Sequence, residues 1–585
     1  QAKRDGGPGQ DRRPIANLSG NSSRGVTKVD DKSILIVGGG IDGVSAALER
    51  AKNGEQATIV EKFPTLGAER IPRDRLIKPG DAFVNPDLDA VRHHDHIRIL
   101  TYSDIKKIKK DNGKIQARVL KHSLRVDNTK CTDCKACIKV CPVNMFDDFD
   151  EGFTFRTAVD YFNPATGEYN IFKEDMPVCQ RSCPVNLDIR TYVGQIADGN
   201  YLDSLATIRD RLPLPGSIGR VCPHPCETAC NRQYLDEPIS ICFLKRFVAD
   251  VELNKGIEPV YEAPEKKYPE KIAVIGAGPA GLTCAYHLAR KGYQHITIYE
   301  TLPVPGGYLW VGIPEYRLPK KLLKREVDLI AGMGIDIRYN TRVGEDVSFE
   351  DLRKDNDALF IGAGCHRGLK LRVPGEDEYE GKGIVDCVTF LREQALGKPF
   401  DVKGKLIVIG GGNAAIDSAR VGWRMGFDEV YILYRRTKKE MPANPWEIDA
   451  AEHEGVILQY LAAPVEILGK DGRVSGMKCI KMELGEPDAS GRRRPVAIQG
   501  SEYVIDAQTI VPAISQGTNL DFLGEDHGID INRWNTFDID PETGETNVPG
   551  VFAGGDVVTG PDIAIRAVAA GKKAADGIHT YLRSK

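Results

Sequence analysis

KIAVIGAGPAGLTCAYHLARKGY, residues 271–293, reads as a buried strand, a glycine turn and a helix, and HITIYE (295–300) supplies the next strand. Gly276, Gly278 and Gly281 follow GxGxxG spacing. Such a turn brings the backbone close to a pyrophosphate, and the helix N-terminus meets the anion with free N–H groups and its dipole. Glu300 closes the second strand, where an acid hydrogen-bonds the ribose 2′-hydroxyl of an adenosine cofactor. One such string is weak evidence, but it recurs. KLIVIGGGNAAIDSARVGWRMGF (405–427) sets Gly410, Gly412 and Ala415 in the same frame, and its second strand, EVYILYRR (429–436), ends in Arg435-Arg436 rather than an acid. Two guanidinium groups suit a 2′-phosphate through forked, charge-assisted hydrogen bonds, which favours NADPH over NADH. SILIVGGGIDGVSAAL (33–48), with Gly38, Gly40 and Gly43, and ATIVEK (57–62), with Glu61, form another opening. Here Asp42 puts an acid inside the phosphate turn, and only about ninety residues follow before the cysteines begin. A second flavin or nucleotide and a structural remnant both fit that opening. The fold class is α/β, built on Rossmann-like units.

The 585 residues correspond to about four domains, and a 41% hydrophobic content supplies several cores. A formal charge of −4 leaves no broad basic field, so nucleic acid is not an expected partner. No apolar run reaches the ~18 residues of a membrane span. The first thirty residues are polar and Gly/Ser-rich, and no apolar stretch follows Arg12-Arg13. No signal peptide is therefore expected, the sequons at Asn17 and Asn21 carry little weight, and the expected location is cytoplasmic. RILTYSDIKKI ahead of Asn112-Gly113 predicts a hairpin.

Nine of the fourteen cysteines fall between positions 131 and 230. Clustered cysteines in a long chain without an export signal read first as metal ligands. Cys131-x2-Cys134-x2-Cys137-x3-Cys141-Pro142 is the bacterial ferredoxin run, whereas zinc sites use paired CxxC knuckles. Cys179-x3-Cys183-Pro184 and Cys222-x3-Cys226-x3-Cys230 form a second set. One 4Fe–4S cluster is completed from Cys183, Cys222, Cys226 and Cys230. The other takes Cys131, Cys134 and Cys137 with Cys179 or Cys141, which leaves one cysteine spare. Cys242 lies closest to the group and is a further candidate ligand, while Cys284, Cys365, Cys387 and Cys479 read as small buried hydrophobes. No dithiol lies outside the iron–sulfur region, so electrons reaching a flavin must leave through the clusters. No side chain is expected to act as a catalytic acid or base.

Several ordered strings then carry a resemblance. CQRSCPVNLDIR (179–190), GRVCPHPCETACNR (219–232), IGAGPAGL (275–282), GGYLWVGIPEYRLPK (306–320), IGGGNAAIDSAR (409–420), YRRTKKEMPA (434–443) and VFAGGDVVTGPDIAIRAVAAGKKAA (551–575) are similar to the glutamate synthase small (β) subunit and the N-terminal part of dihydropyrimidine dehydrogenase. The resemblance implies FAD on the first motif and NADPH on the inserted one. It also implies Asp556 on the flavin's ribityl chain, Gly307, Leu309, Ile563 and Ala564 at the flavin, and Asn413 at the second nucleotide. The helix after PDIAIRA (561–567) would aim its N-terminus at the pyrimidine side of the ring and stabilise reduced anionic flavin. That family has a CxxC just upstream of the position of Cys179; this chain lacks one, and the ferredoxin run is expected to replace it. From 33 to about 145, GGGIDGVSAALERAKNG, VEKFPTLGA, HIRILTYSDI and VDNTKCTDCKACIKVCPVN resemble the flavin-bearing A subunit of heterodisulfide reductase, cut short.

The expected order is a polar tail (1–30), a partial Rossmann-like unit (31–125), a ferredoxin-like segment (126–150), a helical Fe–S domain (151–257) and a linker (258–271). The first part of the FAD domain (272–395), the NADPH domain (396–505) and the second part of the FAD domain (506–585) follow. The expected function is an electron-transfer subunit. It would move electrons between NAD(P)H and about two clusters through FAD, in either direction, for a catalytic partner subunit or ferredoxin. A glutamate synthase small subunit, a flavin-based bifurcating subunit and a colourless scaffold are the alternatives.

Overall fold

The computed structural model describes residues 33–62, 66, 90–91, 94–111, 114–121, 126, 130–132, 134–141, 144–146, 155–163, 168–171, 176–259, 261, 264, 266–487 and 491–585. The expected tail with Arg12-Arg13, Asn17 and Asn21, the Asn112-Gly113 turn and parts of the 258–271 linker lie outside the described residues. The chain divides into two compact units, Gln1–Asp175 and Met176–Lys585.

In the first unit, β1 (Ser33–Val37), α1 (Ile41–Lys52), β2 (Gln56–Val60) and β3 (Ile97–Leu100) form a parallel sheet in the order β1-β2-β3. Val44, Ala47 and Ala51 of α1 pack on Ala57 and Ile59 of β2; the small side chains let the helix lie close to the sheet. β4 (Ser103–Asp111) and β5 (Lys114–Lys121) pair antiparallel with Asp111 opposite Lys114, the predicted hairpin. α2 (Ala136–Val140) sits inside the ferredoxin run. β6 (Asn144–Phe146) with β7 (Phe155–Thr157), and β8 (Val159–Asn163) with β9 (Glu168–Ile171), then form two antiparallel ladders. The helical domain therefore does not begin at 151 as expected. Phe155, Thr157, Val159 and Tyr161 recur at every second residue, and Tyr169 and Ile171 do so again, a strand period; all belong to the first unit.

The second unit opens with six helices: α3 (Val178–Arg181), α4 (Ile189–Ala197), α5 (Tyr201–Arg209), α6 (Pro215–Val221), α7 (Pro225–Thr228) and α8 (Ile241–Lys255). Proline at the first turn starts α6 and α7, and Gly256 in the left-handed region ends α8. Tyr192, Leu205, Ile208, Ile218 and Val248 form their core, continuous with Ile272, Leu282 and Leu288 of the next domain. Polar contacts lock the two together. Tyr286 Oη donates to Arg209 O at 2.9 Å and Arg325 reaches Glu252 at 3.6 Å, while within the helical domain Arg209 holds Glu252 in a buried fork at 2.5 and 2.7 Å.

β10 (Tyr268–Ile275), α9 (Pro279–Lys291), β11 (Tyr293–Tyr299), α10 (Lys320–Ala331), β12 (Asp336–Arg338) and β13 (Ala358–Ile361) build the first dinucleotide domain, and β14 (Arg367–Gly368) leaves it. The inserted domain runs through α11 (Cys387–Ala395), β15 (Lys405–Ile409), α12 (Asn413–Met425), β16 (Glu429–Tyr434), α13 (Pro445–His453) and β17 (Ile457–Tyr460). An antiparallel layer, β18 (Ala462–Lys470), β19 (Arg473–Pro487), β20 (Arg493–Ala497) and β21 (Tyr503–Asp506), precedes β22 (Thr509–Pro512). β23 (Gln516–Gly517) then pairs with β14, so the outgoing and returning crossings lie side by side. β24 (Val551–Ala553) and α14 (Ala564–Ser584) complete the first domain. Its parallel sheet has the order β12-β11-β10-β13-β24, and the inserted one β17-β16-β15-β22. Boundaries at 396 and 505 would cut through one core. Cys387, Val388, Phe390 and Leu391 of α11 pack with Ala415 and Ala419 of α12, and β22 pairs with β15. The insertion thus runs from β14 to β23.

Candidate functional site

Both glycine turns open onto one cleft of about 3060 Å³, several times the ~300–1,000 Å³ of an ordinary ligand pocket. At the first turn Gly276 has φ +99, which only glycine tolerates easily. A Cβ on Gly281 would lie 2.0 Å from Gly276 O, so this glycine lets α9 approach β10. Gly278, by contrast, has no atom within 4 Å of its Cβ direction and lines the cleft at the N-terminus of α9. Gly276 also lines the cleft, while Gly281 lies behind it. Glu300 is buried; its Oε2 accepts from Ala277 N–H at 2.7 Å and its Oε1 from Leu302 N–H at 2.8 Å. Burial pushes its carboxyl up and the backbone donors oppose that.

Gly307, Leu309, Asp556, Ile563 and Ala564 all reach the same cleft. Burial raises the Asp556 carboxyl to about 7. Ile563 caps α14, whose first turn thus faces the cleft. Two lining residues escaped the sequence reading. Tyr308 Oη is buried and, among the described residues, has no hydrogen-bond partner. Its ring lies 5.2 Å from that of His366, which burial and Arg392 push down to about 4, so the imidazole is neutral. Gly312 was the available signal: a Cβ there would lie 2.0 Å from the Tyr308 ring. An orphaned hydroxyl, an open Gly278 and an exposed helix start fit a dinucleotide with a polar ring system.

At the second turn Gly410 has φ +149. Gly412 is open toward the cleft, and fully buried Ala415 stands behind it in the packing position. Asn413 accepts from Asn444 N–H at 3.0 Å and lines the cleft. The two arginines are not equivalent. Arg435 is exposed at the cleft, whereas Arg436 is buried and its Nε donates to Arg493 O at 2.7 Å. Arg492 also lines the cleft, and the run GRRRP (491–495) was its unheeded signal. The two domains are tied by Arg317, which reaches Asp417 at 2.6 Å and Glu447 at 3.1 Å.

A second, small cavity is lined by Cys183, Cys222 and Cys226 together with Tyr192 and Lys245. Cys179 and Cys230 are not among its lining residues. Cys222 is pulled down to about 6, chiefly by a hydrogen bond from the Cys242 thiol, and burial pushes Cys226 up to about 12. Among the described residues no group of three or more His, Cys, Asp or Glu stands where it could hold a metal ion. The cavity shares a wall with the cleft. Val221 and Pro223 line the cleft while Cys222 between them lines the cavity, and Ile565 lines the cavity while Ala564 lines the cleft.

In the first unit Cys134 and Cys137 are exposed and Cys131 and Cys141 half-buried, with Lys135 at φ +58 turning the chain into α2. The opening at Gly38, Gly40 and Gly43 repeats the local geometry. Gly38 has φ +103, a Cβ on Gly43 would lie 2.0 Å from Gly38 O, and Glu61 accepts from Gly39 N–H as Glu300 does from Ala277. Its sheet differs: among the described residues β1 is an edge, whereas β10 has β13 and β24 beyond it. Of the isolated cysteines, Cys284, Cys365, Cys387 and Cys479 are all buried, as expected.

Residues 270–571 match the pyridine nucleotide-disulphide oxidoreductase family. Residues 173–257 match dihydropyrimidine dehydrogenase domain II with its 4Fe–4S cluster, and residues 124–147 a 4Fe–4S binding domain. The NADP(+)-dependent formate dehydrogenase subunit beta of Moorella thermoacetica is 46% identical over 426 residues, 69% of this chain and 60% of that protein. The NADPH-Fe(3+) oxidoreductase subunit beta of Geobacter sulfurreducens is 42% identical over 484 residues, 78% of this chain and 70% of that protein. The glutamate synthase (NADPH) small chain of Escherichia coli is 34% identical over 425 residues, 69% of this chain and 89% of that protein. The chain thus spans about 60% of the length of the formate dehydrogenase subunit.

Proposed function

This chain belongs to the pyridine nucleotide-disulphide oxidoreductase family and is an FAD and 4Fe–4S oxidoreductase related to the glutamate synthase small chain, and from that premise we propose that it carries electrons from NADPH to cysteine-bound clusters for a separate partner subunit. The observation that carries this reading is the shared wall: Val221 and Pro223 line the cleft while Cys222 between them lines the cysteine cavity. When bound, FAD supplies the conversion between a two-electron hydride and single electrons.

The protein's own residues hold and orient. Gly276 and Gly278 admit the pyrophosphate to the N-terminus of α9, Glu300 offers its free lone pairs to the ribose, and Asp556 faces the ribityl chain. Tyr308 Oη is available to a ring polar atom, and neutral His366 beside it adds no charge. Arg435 meets the 2′-phosphate of NADPH, while Arg436, tied to Arg493, shapes the strand end. Cys183, Cys222 and Cys226 ligate one cluster, and the run from Cys131 to Cys141 another. One FAD is assigned, to the cleft.

Anaerobic titration of iron- and flavin-loaded protein with NADPH and with NADH, followed by visible spectroscopy, tests this. Bleaching of flavin and cluster bands at far lower NADPH than NADH is the expected result. Preference for NADH would overturn the role of Arg435, and a flavin that bleaches while the clusters stay oxidised would overturn the path through Cys222. Colourless protein after reconstitution would leave a scaffold.

A further inference from the structure

His224 stands between Cys222 and Cys226, on the loop that carries two of the three sulfurs lining the small cavity. Its backbone is left-handed, φ +45 and ψ 59, a conformation uncommon outside glycine. The main chain of His224 shapes this loop: its N–H donates to Cys222 Sγ at 3.4 Å, and its O accepts from Glu227 N–H at 2.9 Å. The imidazole is held at its edge and on its face. Nδ1 lies 3.3 Å from Glu227 Oε2. The Trp446 indole stacks on the ring, with centroids 5.4 Å apart and planes 18° apart. Trp446 comes from α13 of the inserted domain, so the stack joins the nucleotide domain to the cysteine loop.

The start of α13 is tied in turn to the second glycine turn. Asn444, its cap, donates its N–H to Oδ1 of Asn413, which opens α12 beside Gly412. Asn413, Asn444 and Pro442 all line the cleft, and Trp446 lies two residues beyond Asn444. A short path therefore runs from the nucleotide turn through Asn444 and Trp446 to His224. Trp446 itself lines neither the cleft nor the cavity.

We propose that Trp446 and His224 form a clasp through which a nucleotide in the inserted domain steadies the loop of Cys222 and Cys226. The clasp is a regulation of the site described above and rests on the electron-transfer reading. The inserted domain joins the first through the paired crossings β14 and β23. Contacts away from that junction fix where the domain stands; Arg317 makes one and Trp446 another. Residues of both domains line the cleft, so a nucleotide spanning it favours the placement in which Trp446 reaches His224. Such coupling is reciprocal: the factor by which nucleotide steadies the loaded loop is the factor by which the loaded loop tightens the nucleotide. Trp446 is thus a positioning residue, acting on the cysteines through His224.

The test uses full-length protein loaded anaerobically with iron and flavin. It is challenged with an iron chelator in the presence and absence of saturating NADP+, which binds without supplying electrons. In the wild type NADP+ should slow one phase of iron loss by about 5-fold or more. Trp446→Ala, and His224→Asn, which removes the ring while tolerating the left-handed backbone, should lose that iron faster and gain no protection from NADP+. Trp446→Phe keeps a stacking ring and should restore the protection. Calorimetry should find NADP+ bound more weakly, by the same factor, once the wild type is stripped of iron, and equally well with or without iron in Trp446→Ala. Equal protection in the wild type and both ring-removing variants, no protection in the wild type, or no rescue by Trp446→Phe would overturn the clasp. Wild-type protein that holds no iron or binds no NADP+ would instead refute the electron-transfer reading.

Discussion

Replacing Arg317 with alanine should loosen the junction between the two dinucleotide domains at a cost the structure lets one work out. The arginine comes from the first domain, just ahead of α10, and its side chain is 11% exposed. It binds Asp417 at 2.6 Å and Glu447 at 3.1 Å, both in the inserted domain. The two acids fare differently without it. Glu447 keeps Arg420, but Asp417 already has a buried Oδ1 with no partner among the described residues and loses its donor to Oδ2. Breaking a buried pair in this way costs about 3–5 kcal/mol. Burial holds the Asp417 carboxyl up at about 6 even with Arg317 and Arg420 beside it; removing Arg317 raises it further. A carboxyl raised on folding favours the fold while protonated and withdraws that support as pH rises through the folded value. The variant's deficit is therefore largest near pH 8 and shrinks below pH 6, where Asp417 is protonated in both proteins. Urea unfolding followed by fluorescence reads this, since Trp423 and Trp446 lie in the inserted domain. Arg317→Ala should lose about 3–5 kcal/mol at pH 8, and adding Asp417→Asn should recover most of it. An equal deficit at pH 5 and pH 8, or no recovery in the double variant, would refute the reasoning.

Arg435→Ala should lower kcat/KM for NADPH roughly 10- to 150-fold, from the about 1.5–3 kcal/mol of a hydrogen bond to a charged group, and leave NADH nearly unchanged. Arg436→Ala should also lower the melting temperature, because its Nε bond to Arg493 O is structural. Gly281→Ala should give flavin-free protein, since its Cβ would meet Gly276 O at 2.0 Å; Gly194→Ala, in α4 with open space around it, should bind flavin normally and gain about 0.5–1 kcal/mol. Glu326→Ala strips the acceptor that caps α6 through Gly216 N at 2.6 Å, Ser217 N at 3.0 Å and Ser217 Oγ at 2.6 Å. At about 1–3 kcal/mol for each stranded donor, it should destabilise the helical domain and speed loss of iron, measured by chelator release.

The nested dinucleotide architecture was legible because strand, turn and helix announce themselves over some thirty residues, as at Gly276 and Gly410. What the chain does between such openings was not. β22 pairs with β15 a hundred residues away, and no local pattern marks that partner. The site divided in the same way. Gly278, Glu300 and Asp556 came from motifs, but the split roles of Arg435 and Arg436 depend on which guanidinium the β19–β20 hairpin covers. Tyr308 and His366 come from segments that meet only after folding. Spacing found the cysteine region yet could not say which of its thiols share a cavity, because Cys183 meets Cys222 and Cys226 there from a segment some forty residues away. The opening at Gly38 shows the converse limit: its turn copies the one at Gly276, while completion of a sheet is decided by distant strands.

The closeness of cleft and cavity follows from two residues of backbone. α6 ends at Val221 with Cys222 as its cap, and Pro223 follows. A residue before proline is pushed out of the helical region into extended conformation, and Cys222 sits at φ −68 and ψ 132. In extended chain successive side chains point to opposite sides, so Val221 and Pro223 face the dinucleotide cleft while Cys222 between them faces the other sulfurs. Cys141, also followed by proline, adopts the same conformation at the end of α2. The Cys-Pro pair is thus more than a spacing signature. It stops a helix at the thiol, and at Cys222 it sets neighbouring residues of one short segment on the cleft and on the cysteine cavity. Replacing Pro223 with alanine would let α6 run on and rotate Cys222 off the cavity, so cluster reduction by NADPH should slow more than flavin reduction does. Stopped-flow traces at separate flavin and cluster wavelengths would decide it, and equal slowing of both would show that the Cys-Pro pair plays no such part.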